Sequence, residues 1–294
     1  MKLKFLIVSS RISQLSQDLI DEILIKGHTF AFSTTQDFIF EIENGHFKAS
    51  TPNIPNLFDF DIYILRSFSK NMANSKIFTE ELRLKNKIVI EECISDNYIN
   101  SKFAEGVRLT RSGLNYPISY QIPNIENIEK IPDNIFPAIV KPTNGSRGRN
   151  ISIIENKKDL ANFIQKNPED LLVQEYLPIE WDIRIFVVGN KVLGGIKRYV
   201  LEGDCRSNAS LGSQTEPFEV APEIEEIALR ATKTLHYSVA GVDLAWAKNK
   251  QNWFVIEVNI SPQWHAFKAI TKINPAIHII QHAIDLYVKK NAQK

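Results

Sequence analysis

Cysteine is scarce in this sequence: only Cys93 and Cys205 occur among 294 residues, and they lie far apart. A fold held together by several disulfides is therefore excluded. The apolar start from Leu3 to Val8 is too short for a signal peptide and is followed by polar residues. We expect a reduced, cytoplasmic protein.

Long apolar runs and an excess of charge of one sign are also missing. No apolar stretch approaches the ~18 residues that a membrane helix needs. Lys and Arg number 35 against 34 Asp and Glu, a net charge of +1, which is unlike a chain that binds a long polyanion. With 44% hydrophobic and 23% charged residues, the composition is that of a globular protein. We therefore expect neither nucleic acid nor a membrane among its partners.

The first strand is not followed by a Gly-x-Gly-x-x-Gly turn, since Ser9-Ser10-Arg11 stand there, and a dinucleotide-binding domain is unsupported. The apolar pattern nevertheless predicts a strand from Lys2 to Ser9, a helix from Gln14 to Lys26 and a strand from His28 to Ser33. Further strands are predicted at 61–66 and 88–92. We expect a small parallel α/β domain over residues 1–95.

Four prolines between residues 117 and 137 mark a change of composition after this first domain. A Gly/Ser/Arg loop and a helix lie between the strands predicted for residues 136–177. Two long hairpins follow, over residues 182–200 and 241–259, and the chain closes on an amphipathic helix. The predicted fold is α/β, or α+β overall, with a central domain at 96–177 and a C-terminal antiparallel-sheet domain at 178–294.

The second hairpin carries the clearest chemical signal. If its strands pair across the Lys-Asn-Lys-Gln-Asn turn, Asp243 faces Glu257 and Gly241 faces Asn259. Val242, Leu244, Trp246, Phe254, Ile256 and Val258 then fall on the opposite, apolar face. Like charges opposed on neighbouring strands repel each other, so a cation between them is expected, and Mg²⁺ or Mn²⁺ suits these oxygen donors. The alternative is a solvated strand face with an accidental pair of acids.

A second polar segment begins at Lys141, where an apolar strand ends in Pro-Thr-Asn-Gly-Ser-Arg-Gly-Arg-Asn. Gly145 and Gly148 let backbone N–H groups approach an anion, and Arg147 and Arg149 add positive charge. This composition is typical of a phosphate-binding loop, although an ordinary exposed turn can share it. A P-loop is excluded because no Gly-Lys-Ser/Thr follows.

Three further segments are polar, but each has an ordinary structural explanation when taken alone. The strand at 172–177 ends at Pro178, where backbone groups could read an adenine edge and Asp182 could accept from ribose; a strand and a turn would look the same. Arg184 lies on the same strand face as Asp182, with Lys197 and Arg198 on the return strand, as in a salt-bridged hairpin. The loop at 202–208 offers Arg206 for bidentate phosphate binding, or is a structured connector.

Taken in order, these segments resemble the ATP-grasp superfamily, and within it the RimK-type glutamate ligases. The likeness covers about half of the chain, from Ser101 to Pro262. It is carried by Lys102, Lys141-x₃-Gly-Ser-x-Gly, Gln174-Glu175-Tyr176, Asp182-Ile183-Arg184, Gly203-Asp204-x-Arg206-Ser207-Asn208, Ala240-Gly241-Val242-Asp243 and Glu257-Val258-Asn259-x-Ser261-Pro262.

The resemblance implies a nucleotide site between the central and C-terminal domains. It implies ATP bound by Lys102, Lys141, Gly145, Ser146, Gly148, Gln174, Glu175, Tyr176, Leu177, Asp182, Arg206, Ser207 and Asn208. It further implies two Mg²⁺ ions, with Mn²⁺ as an alternative, held by Asp243, Glu257 and Asn259. Arg206, Lys141 and Arg184 are the implied catalytic residues.

The implied reaction is ADP-forming amide-bond formation through an acyl-phosphate. An amino acid such as glutamate would be added to a carboxylate on a peptide, a protein C-terminus or a small metabolite. A glutathione-synthetase-like enzyme, a natural-product peptide ligase and a non-catalytic ATP-binding regulatory module are the alternatives, and a homo-oligomer is compatible with each.

Three positions depart from the RimK pattern. Asn150 replaces a third glycine, Leu211 replaces a basic residue, and Gln263-Trp264 replace a small glycine. The last two lie where substrate is expected, and Trp264 offers a ring that could stack on a larger acceptor. The identity of the acceptor is therefore the property that the resemblance transfers least.

Overall fold

The protein is described here by a computed structural model, which covers residues 1–66, 72–98, 100–122, 124–144, 151–167, 170–200 and 214–292. Within these ranges the strands form three larger sheets and one two-stranded sheet. None of the helices in these ranges is long and apolar enough to cross a bilayer.

The N-terminal part contains a parallel sheet in the order β2-β1-β5-β6 and a separate hairpin, β3-β4. The predicted strands and helices are found with ends shifted by a few residues. The elements of this part, predicted or not, are β1 (Lys4–Val8), α1 (Gln14–Ile25), β2 (Thr29–Ser33), β3 (Ile39–Glu43), β4 (His46–Ser50), β5 (Ile62–Leu65), α2 (Met72–Leu84) and β6 (Ile88–Ile90). The β1 and β5 strands read as unbroken apolar runs because both faces of the parallel sheet are covered.

The β3-β4 hairpin was not predicted, although its turn has a recognisable sequence. Asn44 and Gly45 form the turn, with φ of 49° and 76°, in the left-handed conformation that a two-residue hairpin turn requires. The strands themselves are mostly exposed and carry little alternation, so the Asn-Gly pair was the one usable signal.

The central sheet is antiparallel, in the order β7-β10-β8-β9. Its elements are α3 (Lys102–Arg111), β7 (Ser119–Ile122), β8 (Ala138–Pro142), β9 (Ser152–Ile154), α4 (Lys157–Lys166) and β10 (Leu171–Glu175). The helix α3 begins at Lys102 because the Ser101 side chain accepts from the backbone N–H of Ala104 and caps the helix there.

The C-terminal sheet is antiparallel, in the order β13-β12-β11-β14-β15. Its elements are β11 (Trp181–Val188), β12 (Lys191–Tyr199), β13 (Thr215–Phe218), α5 (Pro222–Leu235), β14 (Val239–Ala247), β15 (Asn252–Asn259), α6 (His265–Thr271) and α7 (Pro275–Ala292). Both predicted long hairpins are present, while β7, β13 and α6 were not predicted.

The apolar cores connect the first sheet to the third. One cluster joins Leu6 and Tyr63 of the parallel sheet to Val242 of the C-terminal sheet, and another joins Ile7 to Phe186. The central sheet has its own cluster around Val140 and Val173. This packing brings the carboxyl ends of β1 and β5 toward the β14-β15 hairpin. Domain limits after residues 95 and 177 stay a prediction.

Candidate active site

The pairing of β14 with β15 places two acids side by side. Asp243 is directly opposite Glu257, and Asn259 is directly opposite Gly241, as the hairpin pattern predicted. The Asp243 side chain is almost fully buried, whereas the Glu257 side chain is 32% exposed. The two acids therefore share one end of the hairpin with different access to solvent.

A β-bulge directly after Asp243 changes the predicted core face. Leu244 pairs with Val255, so Ile256 is the extra residue of the bulge. Val255 is buried in the core cluster with Leu244, while Phe254 pairs with Ala245 and packs elsewhere. The prediction that Phe254 and Ile256 share the face of Leu244 was wrong, because it assumed an unbroken alternation.

Two arginines neutralise the buried acid. Arg184 donates from Nε to Asp243 Oδ1 at 2.7 Å and from Nη2 to Oδ2 at 2.6 Å. Arg198 Nη2 lies 3.2 Å from the same Oδ2. Burial alone would raise the pKa of Asp243, but these guanidinium groups outweigh it and hold the pKa below its usual value. Asp243 is therefore ionised at neutral pH.

Arg198 also binds Asp182, the residue predicted to hold ribose. Its Nε and Nη2 donate to the two Asp182 carboxylate oxygens at 2.6 and 2.7 Å, and both side chains are buried. Asp182, Arg198, Asp243 and Arg184 thus form a row of alternating charge across β12, β11 and β14. The hairpin pattern placed Arg198 nearby, but nothing in the sequence marked it as the link between the two acids.

Lys102 connects the helix α3 to the acids of β15. Its Nζ lies 3.3 Å from Glu257 Oε1, and its backbone N–H donates to the carbonyl of Thr143 at the end of β8. The Tyr116 hydroxyl donates to the Lys102 carbonyl at 3.2 Å. The lysine predicted to bind phosphate is therefore held between the central sheet and the candidate metal ligands.

The second predicted lysine, Lys141, lies inside the central sheet. Its Nζ donates to Gln174 Oε1 at 2.9 Å, and Gln174 Nε2 donates to Ser119 Oγ at 2.8 Å. Lys141 and Gln174 are both buried. The ammonium is thus oriented by the neighbouring Gln174 amide.

Glu105 is an acid that sequence reasoning missed. It accepts from the Tyr237 hydroxyl at 2.8 Å, and burial, assisted by the charge of Glu257, raises its pKa to about 7. Lys102 and Lys141 act in the opposite direction on the pKa of Glu105, which places all four groups within electrostatic reach. A single acidic residue in an amphipathic helix gives no sequence signal of this kind.

The segment predicted to read adenine follows β10. The backbone N–H of Glu175 donates to Ile118 O at 2.8 Å, and that of Tyr176 donates to Pro137 O at 3.4 Å. Lys250, in the β14-β15 turn, donates to the Glu175 carboxylate at 2.8 Å. Leu177 is buried against Ala247 and Phe254. The end of β10 is thus packed against the C-terminal hairpin.

The remaining predicted site residues, Gly145, Ser146, Gly148, Arg206, Ser207 and Asn208, lie outside the described residues. So do Asn150 and Leu211. Trp264 is described, and it contradicts the expectation that its ring could stack on an acceptor. The side chain is fully buried, with Nε1 donating to Asp18 at 3.0 Å.

The candidate donor set suits a divalent cation that is bound together with a nucleotide. Among the described residues, no cluster of three or more His, Cys, Asp or Glu side chains could hold a metal. Asp243, Glu257 and Asn259 supply two carboxylates and an amide, and Mg²⁺ bound with a nucleotide usually takes one or two carboxylates beside phosphate oxygens and waters. The Asn259 amide donates to Asp243 at 3.4 Å, which leaves its carbonyl oxygen for a cation. The set fits such an ion.

Comparison with known proteins agrees with this arrangement. Residues 99–283 match the RimK-like ATP-grasp domain. A probable alpha-L-glutamate ligase of Coxiella burnetii is 34% identical over 199 residues. That match covers 65% of this chain and 64% of the Coxiella protein, so the chain spans less than two thirds of this relative's length.

Solved structures share the whole architecture. The ATP-grasp ligase PsnB, in complex with a phosphomimetic variant of its minimal precursor, Mg and ADP, superposes with a TM-score of 0.74 at 17% identity, over 96% of this chain and 98% of that one. A RiPP-associated ATP-grasp ligase of Chryseobacterium gregarium, in complex with ADP and a leader and core peptide, gives 0.70 at 15% identity, over 99% and 97%. Since the matching domain covers more than half of the chain, the protein belongs to the RimK-like ATP-grasp family.

Proposed function

We propose that this protein is an ATP-dependent carboxylate–amine ligase that forms an amide bond and releases ADP and phosphate. The observation that carries the proposal is the meeting of Lys102 with Glu257 beside Asp243, at the junction of the central and C-terminal sheets. Opposed acids and cations lie together at this place, and the order of the segments along the chain is typical of the family. The name of the Coxiella relative supports glutamate as the amine substrate.

In the proposed reaction a substrate carboxylate oxygen attacks the γ-phosphorus of ATP, and the bond to the bridging oxygen of ADP breaks. The amine of the second substrate then attacks the acyl carbon, phosphate leaves, and the amine proton passes to phosphate or solvent. Catalysis of this kind depends mainly on positioning and on neutralising the charge of the transferring group. No covalent bond to the enzyme is needed.

The chain's own residues have distinct roles in this proposal. Lys102 and Lys141 bind phosphate oxygens, and the end of β10 contacts the adenine. The amides of Glu175 and Tyr176 already donate to Ile118 and Pro137, so the next amide, that of Leu177, is the proposed donor to the adenine. Asp243, Glu257 and Asn259 hold Mg²⁺, which would neutralise phosphate charge when bound. The number of ions and the use of Mn²⁺ are part of the proposal. Arg184 holds Asp243 in place and orients its carboxylate.

The ribose contact is the least direct part of the site. Both Asp182 oxygens already accept from Arg198, so a ribose hydroxyl would have to share the carboxylate with that guanidinium. Arg206, Ser207 and Asn208, together with the loop at 145–148, complete the proposed phosphate site from the family pattern.

A peptide is the second candidate for the carboxylate substrate. Of two solved structures with the same fold, PsnB is in complex with a variant of its minimal precursor, and the Chryseobacterium ligase is in complex with a leader and core peptide. A natural-product peptide ligase and a glutamate ligase would share the chemistry described above and differ in the acceptor.

The test is a product screen by mass spectrometry with purified protein, ATP, Mg²⁺, amino acids and a panel of free and peptide carboxylates. We expect ADP and phosphate to form only when an acid and an amine are both present, together with one new amide. AMP or pyrophosphate as a product would contradict the proposal. ATP binding without product across the panel would favour the regulatory module.

A further inference from the structure

Arg66, at the carboxyl end of β5, has an unusual set of contacts. Its Nη2 donates to the carbonyl of Pro262 at 2.7 Å, and its guanidinium carbon lies 4.6 Å from the ring centre of Trp264. Burial lowers the pKa of Arg66 to about 10, against the opposing effect of Glu91, so the group remains charged at neutral pH. A half-buried cation is thus held at the edge of the first sheet.

The guanidinium has donors to spare. Among the described residues, Pro262 O is its one hydrogen-bond acceptor and no carboxylate lies within ion-pair distance of it. Guanidinium carries five N–H donors in a fixed fork. Arg66 is only half-buried, so part of its side chain faces solvent. The remaining N–H groups can donate to a ligand without breaking the bond to Pro262.

Its support is rigid. The Trp264 side chain is fully buried, its Nε1 donates to Asp18 Oδ2 at 3.0 Å, and Lys268 donates to Asp18 Oδ1 at 2.8 Å. Phe186 packs against the same ring with centroids 6.3 Å apart. A guanidinium fixed by an immobile aromatic face and a carbonyl keeps its fork in one orientation, which lowers the entropy lost on binding.

The place of Arg66 in the sheet is where open α/β sheets bind ligands. The β1 and β5 strands are parallel neighbours, yet the chain leaves β1 toward β2 on one side and leaves β5 toward β6 on the other. In open α/β sheets this divergence of the chain marks the topological switch point, where a crevice lies outside the carboxyl ends of the two strands. The Arg66 N–H donates to Val8 O at 2.7 Å, which places it beside the Ser9-Ser10-Arg11 turn.

This crevice adjoins the candidate active site. The Ser261 hydroxyl donates to the Arg66 carbonyl at 3.0 Å, two residues after Asn259. A β-carbon built on Gly241 would lie 2.9 Å from Pro262 Cβ and 3.5 Å from Arg184 Cδ. Arg66 is therefore separated from the Arg184–Asp243 pair by little more than Pro262.

We propose that Arg66 binds a carboxylate of the substrate other than the one that reacts, in the crevice between β1 and β5. The proposal rests on the ligase function proposed above and adds to it a recognition group and a location. A planar fork matches a carboxylate bidentately, and an amino-acid or acidic peptide substrate carries such a spare carboxylate. Arg66 is then a residue that determines specificity.

The experiment measures ligand binding directly, so that it does not depend on turnover. L-glutamate, L-glutamine and L-isoglutamine are titrated, by ligand-observed NMR, against the 294-residue chain with ADP and Mg²⁺. The variants are R66M and R66K, with R83M as the control, because Arg83 is an exposed arginine of the same N-terminal part. Thermal melting and ADP binding check that each variant folds.

We expect the wild-type protein and R83M to bind glutamate about tenfold more tightly than at least one of its two amides, the loss typical of an unmatched charged hydrogen bond. R66M should bind glutamate about tenfold more weakly and lose the discrimination, and R66K should fall between. If R66M fails to fold, R66K alone decides. Discrimination that persists in the Arg66 variants, or its absence from the wild type, would overturn the proposal.

The proposed function fails separately. If the protein discriminates through Arg66 but never converts ATP to ADP in the presence of an acid and an amine, the Arg66 site stands and the proposed ligase function is refuted.

Discussion

The ammonium group of Lys102 lies 3.3 Å from the carboxylate of Glu257, across the junction of α3 and β15. One residue is proposed for phosphate and the other for metal, yet in this structure each is the other's counter-ion. An exchange of partners would therefore accompany nucleotide binding, and it makes Glu257 the most informative residue to change.

Glu257→Gln is expected to weaken the response to Mg²⁺. The amide keeps the shape of the side chain but removes one of the two carboxylates, so the Mg²⁺ concentration for half-maximal activity should rise at least about tenfold. The measurement is a Mg²⁺ titration of ADP formation, with E225Q, an exposed glutamate of α5, as the control. An unchanged titration would remove Glu257 from the metal site.

Arg198→Met is expected to destabilise the fold by about 3–5 kcal/mol, because it leaves buried Asp182 and Asp243 without a shared cation. The free energy of unfolding in urea measures this effect. The double variant D182N/R198M should recover part of the loss, since one of the buried charges is then gone. Lys48→Met, which removes a solvent-exposed ion-pair partner, should change the stability little. A similar loss in both single variants would show that burial is not the cause.

The stability is expected to fall as the pH rises, through Glu91. Burial raises the pKa of Glu91 to about 8, although Ser238 and Val239 donate backbone N–H groups to it. The folded protein keeps this proton to higher pH than the unfolded chain, so the contribution is complete below the unfolded pKa near 4.5 and is lost toward pH 8. The slope reaches about 1.4 kcal/mol per pH unit.

Glu91→Gln tests this, by urea unfolding between about pH 5 and about pH 8. The variant should be less stable at the acid end, because Nε2 cannot accept from a backbone N–H, and its stability should depend less on pH. E92Q, at the exposed neighbouring position, should keep the wild-type slope. Equal slopes in E91Q and the wild type would rule out Glu91 as the source.

Gly241→Ala is expected to destabilise the hairpin by about 1–3 kcal/mol, as overpacking does in a well-packed site. The new methyl group would lie 2.9 Å from Pro262 Cβ, so Pro262 or the strand must move. Because Pro262 orients Arg66, binding of a carboxylate should weaken as well. Urea unfolding and a glutamate titration measure the two effects, and unchanged stability would mean that the segment yields without strain.

The opposed acids could be predicted from the sequence because hairpin pairing fixes which positions face each other. The same rule fails one residue later, at the bulge, since Val255 and Ile256 are both apolar and either could face the core. The α/β opening was predicted by its periodicity, whereas the β3-β4 hairpin has mostly exposed strands with little alternation.

Contacts between distant segments account for most of what could not be predicted. Trp264 looked free to stack on a ligand because its partner, Asp18, is 246 residues away in the chain. Arg66 ends an ordinary apolar strand, and its neighbours Pro262 and Trp264 belong to the other end of the sequence. Such pairs have no local signature, since sequence patterns report periodicity and turns and not the packing of one sheet on another.

The bond between Lys250 and Glu175 has a mechanical consequence. It joins the turn of the β14-β15 hairpin to the last residue of β10, so the central and C-terminal sheets are connected at the end of the hairpin opposite the acids. If the two sheets move relative to each other, we expect them to rotate about this ion pair, and the gap between them would widen near Lys102 and Glu257. For a nucleotide bound as proposed, opening would expose the phosphate end before the base.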